Sequence, residues 1–491
     1  MKNLRLFYKF QKTIFFLIYL CCCSFIFSSC RLKNPETETT IKTKQEKIEL
    51  TFWNLFDDSE VFRGQIQAYQ SKHPHIKIKY KKFTDIQEYE QLLINEIAEG
   101  EGPDIFTIKN SWIKKHQKKI TPLPIGKTAA PLNPQIFADT FFHVATKDLV
   151  IEQQIYGIPL YIDTLALYYN KQIFRDNITN TDTPGSTWPE IKKQVSVITK
   201  ENNSIERFAL SGIAMGRSQN ILRAQDIFYS LMLEHEVDIF NTAQNRSIVA
   251  NQKGVNEETN KPFFPFLESL KLYSSFGNSK YKNYSWNELI TAFAPELKEI
   301  DLFLKGKVAM IFGYSYLYED LLSIRQQLQK QSHSVIKTED IGITEFPQIK
   351  SFQETGKRDS LAIYFPITVS RNSKHALEAW NFIQYLSSKE ALQDYHEKTK
   401  KLSSRKDLID EQIIEPIYGV FAKQVSYAKS FPKKFPINAN FLDQVFGLAI
   451  ENAVKNKLTL EKITQKAQER INCQLEKSKK RGEVDINCLD I

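Results

Sequence analysis

The chain of 491 residues lacks the motifs by which many enzyme classes are recognised. It has no glycine-rich loop with lysine to cradle a phosphate, no G-x-S-x-G elbow for a nucleophilic serine, and no H-E-x-x-H for zinc. Its eight histidines are scattered, none at metal-ligand spacing from a cysteine or carboxylate, so neither a metal site nor any other cofactor is expected. Cysteine is missing from 31 to 472, and the six residues of that type sit at the two ends. Internal repeats are absent. Charge of one sign is not concentrated either: 66 basic and 57 acidic residues give a net +9. Runs such as "KIKYKK" and "EKSKKRGE" read as solvated faces, so no nucleic-acid partner is expected. Counting acids leaves a glycosidase carboxylate pair open, but the passages that would face a ligand hold no candidate pair.

What is present begins at the N-terminus. "MKNLRLFYKFQK" carries Lys2, Arg5, Lys9 and Lys12 and no acid, and "TIFFLIYLCCCSFIF" and the small pair Ser28-Ser29 follow. Basic, apolar and small residues in that order form a secretory signal peptide; the apolar run is short for a bilayer span, which needs ~20 residues. "FSSC" resembles the lipobox of bacterial lipoproteins, with Phe27 in place of the usual leucine. Residues 1–29 are then a leader, Cys30 is the lipidation site, and Cys21, Cys22 and Cys23 leave with the leader. The leader takes four of the 66 basic residues and no acid, which leaves 62 against 57, a net +5. Residues 30–47 are too polar to bury a core and read as a flexible tether. A cysteine with two or more acyl chains holds firmly, so the folded part is expected on the extracytoplasmic face of the cell membrane. Disulfides persist there, and Cys473 and Cys488 are a candidate pair, with two free thiols as the alternative.

About 440 residues remain, too many for one core, so two α/β lobes are expected. "IELTFWNL" alternates as a strand, and "SEVFRGQIQAYQSKH" has helical spacing with Ser59 as its cap. "IKIKY", "DIQEYEQLLINEIAEG" and "PDIFTI" continue as strand, helix and strand. This order predicts a parallel sheet whose ligands bind beyond the carboxyl ends of its strands. Further on, Leu165, Leu167 and Tyr169 alternate as a strand. "STWPEIKKQVSVITK" starts a helix at Ser186/Thr187 with Pro189 in its first turn. "KVAMIFGYSY" and "RDSLAIYFPITVS" read as strands, and "SKHALEAWNFIQYLSS" as an amphipathic helix.

Six passages in this order carry a family resemblance: "TFWNLFDDSEVFRGQIQAYQSKHPHIKIKY", "LLINEIAEGEGPDIFTIKNSW", "YGIPLYIDTLALYYNKQIF", "STWPEI", "LKGKVAMIFGYSY" and "SKHALEAWNFIQYLSSKEALQDY". From about Ile48 to Glu469 the chain resembles the extracellular solute-binding proteins of ABC sugar importers, in their maltose-binding-protein-like branch. The resemblance implies a two-lobed, periplasmic-binding-protein-like (type II) α/β fold with a hinge and an interlobe ligand cleft. Three crossings are implied, at Pro159 to Leu165, near "LAIYFPI" and near "RKDLIDEQI". They divide the chain into an N-terminal lobe of 48–162 plus 362–408 and a C-terminal lobe of 163–361 plus 409–491. The implied partners are a carbohydrate, the membrane permease of an importer and the membrane itself, with the receptor a monomer. A lipoprotein glycoside hydrolase and a chemosensory or adhesive module are the alternatives.

A sugar site needs aromatic platforms and paired hydrogen-bonding groups in a concave cleft. Trp53 and Asn54 past the first strand, and Ser111 and Trp112 past the third, stand at the predicted rim. By resemblance, Asp163 in the first crossing meets sugar hydroxyls, with Tyr161 beside it. Arg223, Gln225 and Asp226 line the second lobe, and Tyr314 and Tyr316 supply an aromatic platform. Gly313 is read as a tight bend near the ligand, and Asp104 as a structural cap.

Overall fold

In the computed structural model, which describes residues 46–202, 207–256, 260–292, 299–431, 437, 439–481 and 486–490, "IELTFWNL" forms strand β1 (Ile48–Leu55) with Leu50 and Phe52 in the core. The leader, Cys30 and nearly all of the tether lie outside the described residues. Helix α1 (Ser59–Lys72) buries Phe62 and Tyr69. Its cap is Asp58, in extended backbone and without a side-chain cap bond, and the expected cap Ser59 is the first helical residue. Strand β2 (Ile76–Phe83) lies parallel to β1, Ile48 opposite Ile76. Helix α2 (Ile86–Glu99) is capped by the Asp85 carboxylate, which accepts from the main chain of Gln87 and Glu88. Gly100, at φ +88°, ends it in the left-handed conformation that glycine adopts without strain.

Strand β3 (Ile105–Thr107) adds parallel to the other side of β1, which gives the expected parallel core of the sheet. Asp104, just before it, is structural: its Oδ2 accepts from the Thr51 main chain at 2.9 Å and its Oδ1 from Ser373 Oγ at 2.6 Å. It thereby ties two distant parts of the chain to β1, a larger role than the cap expected of it. Strand β4 (Ile120–Thr121) and helix α3 (His143–Leu149) follow.

The chain then leaves this sheet through β5 (Asp163–Thr164) and β6 (Ala166–Asn170). All five residues of β6 are buried, so the alternation of Leu167 and Tyr169 does not mark a solvent face. The reason is position: β6 is the middle strand of an antiparallel sheet, covered on both faces. Helix α4 (Trp188–Ile198) opens on a capping box between Thr187 and Glu190, with Pro189 in the first turn and Trp188 buried. Helix α5 (Ala224–Glu234) is followed by β7 (Met310–Gly313) and β8 (Ile341–Thr344), which flank β6 in the order β7-β6-β8.

"RDSLAIYFPITVS" is two strands in different sheets. β9 (Ser360–Ile363) pairs with β5, and β10 (Ile367–Ser370) returns to the first sheet antiparallel to β3. Pro366, without an N–H, sits at the break. The first sheet is thus β2-β1-β3-β10-β4. Helix α6 (Ala376–Leu386) packs on β10 with Trp380, Phe382 and Ile383 buried. A short strand β11 (Ala428–Lys429) completes a small sheet β11-β9-β5. Helices α7 (Ala439–Lys455) and α8 (Leu460–Arg481) close the chain, and Cys473 on α8 is bonded to Cys488, Cα–Cα 5.6 Å. The architecture is the expected two-lobed α/β fold.

Candidate functional site

A cleft opens where the three sheets meet. Its floor is Leu361, Ala362 and Ile363 of β9, with Phe431 beside them. From the first sheet come Lys109, Asn110 and Ser111, on the short turn that follows β3 at its carboxyl end. From the other side come Gln225, Asp226 and Tyr229 of α5, Asp443 of α7, and Tyr314, one residue past β7.

Three of these residues have a buried side-chain oxygen without a hydrogen-bond partner: Ser111 Oγ, Gln225 Oε1 and Tyr314 Oη. Such a group costs about 1–3 kcal/mol when left unmade, and the three come from three different elements. The Gln225 amide donates through Nε2 to the main-chain oxygen of Asp443 at 3.0 Å. The Tyr229 hydroxyl donates to the Asp443 carboxylate. Burial pushes the Asp443 carboxyl above the ordinary carboxylate range, while Tyr229 and then Lys109 across the cleft pull it back.

An aromatic and cationic group stands next to the cleft. Tyr314 and Tyr316 stack with ring centroids 6.1 Å apart and planes 21° off parallel. The Arg223 guanidinium lies 5.3 Å and 5.6 Å from the two ring centroids and donates to the Tyr316 hydroxyl. Arg223 is the residue that precedes α5, and its Nη1 is 3.8 Å from Asp226. Tyr314 is buried, whereas Tyr316 is 44% exposed and offers its ring to solvent. Burial pushes the Tyr316 hydroxyl up to about 12, so it remains a neutral donor at any physiological pH.

Of the residues expected at the site, Ser111, Gln225, Asp226 and Tyr314 line the cleft, and Arg223 and Tyr316 adjoin it. Trp53 and Asn54 are the sixth and seventh residues of β1, not residues beyond it. Trp53 packs at 5.0 Å on Phe83 under the Lys81 ammonium, and the buried Asn54 amide donates to Tyr80 at 3.0 Å. Trp112 turns into the core, where it shares a small void with Leu93, Ile97 and Phe106. Tyr161 lies beneath the Lys401 ammonium, 4.2 Å from the ring centre.

Asp163 is buried and its oxygens are occupied. Both accept from the Ser315 main-chain N–H at 3.1 Å, Oδ2 from Ser315 Oγ at 2.8 Å, and Oδ1 from the Thr164 N–H at 2.8 Å. Burial raises its pKa to about 6 against the pull of these donors. Gly313 has no bend at positive φ; a Cβ there would meet Leu317 at 2.1 Å, so packing within the protein, not approach of a ligand, excludes a side chain.

Sequence reasoning passed over Tyr229, Phe431 and Asp443. Asp443 carried a signal, since it interrupts the apolar run "NFLDQVFGLAI" of a helix. Phe431 carried none, because only the tertiary fold brings it to β9.

Residues 54–393 match the family model described as bacterial extracellular solute-binding protein. The chain is 22% identical over 362 residues to the multiple sugar-binding protein of Streptococcus mutans, covering 72% of this chain and 75% of that one. It is 20% identical over 398 residues to the galactooligosaccharide-binding protein of Bacillus subtilis, covering 80% and 81%. Among solved structures, the sugar-binding protein MalE from Xanthomonas citri superposes with a TM-score of 0.68 at 16% identity, covering 88% of this chain and 98% of that one.

Proposed function

The chain belongs to the bacterial extracellular solute-binding proteins, and from that premise we propose that it is the lipid-anchored receptor of an ABC importer, binding an oligosaccharide between its lobes. The carrying observation is the set of Ser111 Oγ, Gln225 Oε1 and Tyr314 Oη, buried and unpartnered on residues that line one cleft. Hydroxyl groups of a sugar complete all three, because each hydroxyl both donates and accepts. Tyr316 beside them offers a face for the apolar side of a sugar ring. Relatives named for multiple sugars and galactooligosaccharide support a carbohydrate ligand, and they are binding proteins, which favours a receptor over a hydrolase.

In this reading the lobes are 48–162 plus 362–408 and 163–361 plus 409–491, and the ligand draws them together because it touches both walls only when they approach. The closed monomer presents itself to the permease while Cys30 holds it on the extracytoplasmic face of the membrane. A thermal-shift panel of malto-, galacto- and manno-oligosaccharides tests the reading. A ligand at a hundred times its Kd stabilises by about 2.7 kcal/mol, which raises the melting temperature by about 2–5 °C for a chain of this size. No rise with any member of the panel overturns the carbohydrate assignment.

A further inference from the structure

We propose that Gln225 is a specificity-determining residue, fixed by helix α7 so that it offers the ligand the acceptor oxygen of its amide. The inference rests on the reading of the cleft as a carbohydrate site and deepens it.

A free glutamine presents either end of its amide by rotation about its last bond, and so reads donors and acceptors alike. Here the rotation is blocked. Nε2 donates at 3.0 Å to the main-chain oxygen of Asp443, a group that can only accept. The flipped amide would set oxygen against oxygen, so the hydrogen-bond pattern assigns the two ends. Oε1 is left on the other branch, buried and without a partner, on a residue that lines the cleft.

The neighbours give the same polarity. Asp226 is the next residue of α5, and Asp443 presents a carboxylate whose Oδ1 already holds the Tyr229 hydroxyl. Around Gln225 Oε1 this wall is therefore rich in acceptors, and Tyr314 on the same side adds a hydroxyl that can donate. The facing wall has Ser111 and Lys109, and both can donate. A ligand hydroxyl satisfies both sides at once, giving its proton to Gln225 and accepting from the other wall. A carboxylate or phosphate oxygen has no proton to give and meets the acceptor wall with a like partial charge. The ligand class is accordingly a neutral glycan with a free hydroxyl directed at α5, in preference to its acidic counterpart.

The test measures affinity ratios by calorimetry. Galactotriose and mannotriose are titrated against wild type alongside their matched acids, trigalacturonate and trimannuronate. Lys109 on the facing wall attracts a carboxylate, so the neutral-to-acid ratio is the readout and not either affinity alone. Wild type is expected to favour a neutral triose at least tenfold over its acid. In Gln225→Met the neutral triose weakens about ten- to hundredfold, the acid weakens far less, and the ratio falls at least threefold. A merely structural role for Gln225 lowers both ligands together and leaves the ratio unchanged, which overturns the proposal. Equal binding of acid and neutral sugar by wild type overturns it without any variant. If wild type binds neither these four nor any member of the malto-, galacto- and manno-oligosaccharide panel, the carbohydrate reading itself has failed and the proposal falls with it.

Discussion

Asp163 shows how burial redirects a carboxylate. The resemblance assigns it to sugar hydroxyls, yet its oxygens already hold Ser315 and Thr164, and Ser315 is the residue between Tyr314 and Tyr316. Its direct effect is to position the aromatic pair. The same burial ties stability to pH. A carboxyl raised from 3.8 to about 6 in the folded chain binds more protons folded than unfolded between those values, so its contribution is fully present below about 3.8 and is lost as pH rises through about 6. The amount lost is on the order of 3 kcal/mol. Asp163→Asn keeps an acceptor for Ser315 and carries no charge, so this loss disappears. Urea unfolding at pH 4.5 and 7.5 should show the variant gaining on wild type at the higher pH; a constant difference between the two would contradict the assignment. Tyr316 tests the neighbouring role. It is 44% exposed, so Tyr316→Ala should weaken a bound oligosaccharide by about 1–2 kcal/mol, with a change in unfolding free energy below about 1 kcal/mol. Calorimetry and urea unfolding on the same sample separate the two effects.

At the scale of elements, local chemistry predicted what local chemistry decides. Thr187, Pro189 and Glu190 mark the start of α4 in the sequence because cap, first turn and reciprocal side chain lie within four residues. Gly100 marks the end of α2 for the same reason. Strand β6 alternates in sequence yet is buried at all five residues, since packing on both of its faces is not encoded within five residues. The passage from Ser360 to Ser370 reads as one apolar strand, and only the topology sends its halves to different sheets. The cleft follows the same division. Ser111 was legible as the rim of a parallel sheet, while Asp443 arrives from a helix more than 300 residues later. The disulfide belongs to this scale as well. It fastens the buried Cys488 to α8, and Arg470 of that helix donates to the Leu489 main chain at 2.9 Å. Cys488→Ser should lower stability by about 2–4 kcal/mol. Reductant should destabilise wild type to the same extent and leave the variant unmoved; equal sensitivity in both would place the effect elsewhere.

At the scale of the molecule, the cleft and the segments that run between the sheets meet in one buried network. The Asp148 carboxylate of α3 accepts from Tyr364 at 2.7 Å, from Asn110 at 3.3 Å and from Ser430. Tyr364 lies on the connection from β9 to β10, Ser430 directly follows β11, and Asn110 adjoins Ser111 in the cleft. Asn110 also donates to Ser430 at 2.7 Å. The turn that lines the cleft is therefore bonded to the segment that passes between the sheets. Burial pushes Asp148 above the usual carboxylate range, with Ser430, Tyr364 and Asn110 opposing it, so each missing donor leaves a less satisfied buried group. Ser430→Ala removes one donor to Asp148 and the acceptor of Asn110, and Ser430 is not itself among the residues that line the cleft. If the network holds the lobes in their binding geometry, the fraction of competent molecules falls and the apparent Kd rises in proportion. The expected change is about three- to tenfold for a coupling on the order of 1 kcal/mol. Small-angle scattering supplies the second readout: wild type should contract on saturation with its oligosaccharide, and Ser430→Ala should be more expanded without ligand yet reach the same contracted size with it. Weaker binding with unchanged free and bound dimensions would show that Ser430 acts on the cleft locally and that the network does not govern closure.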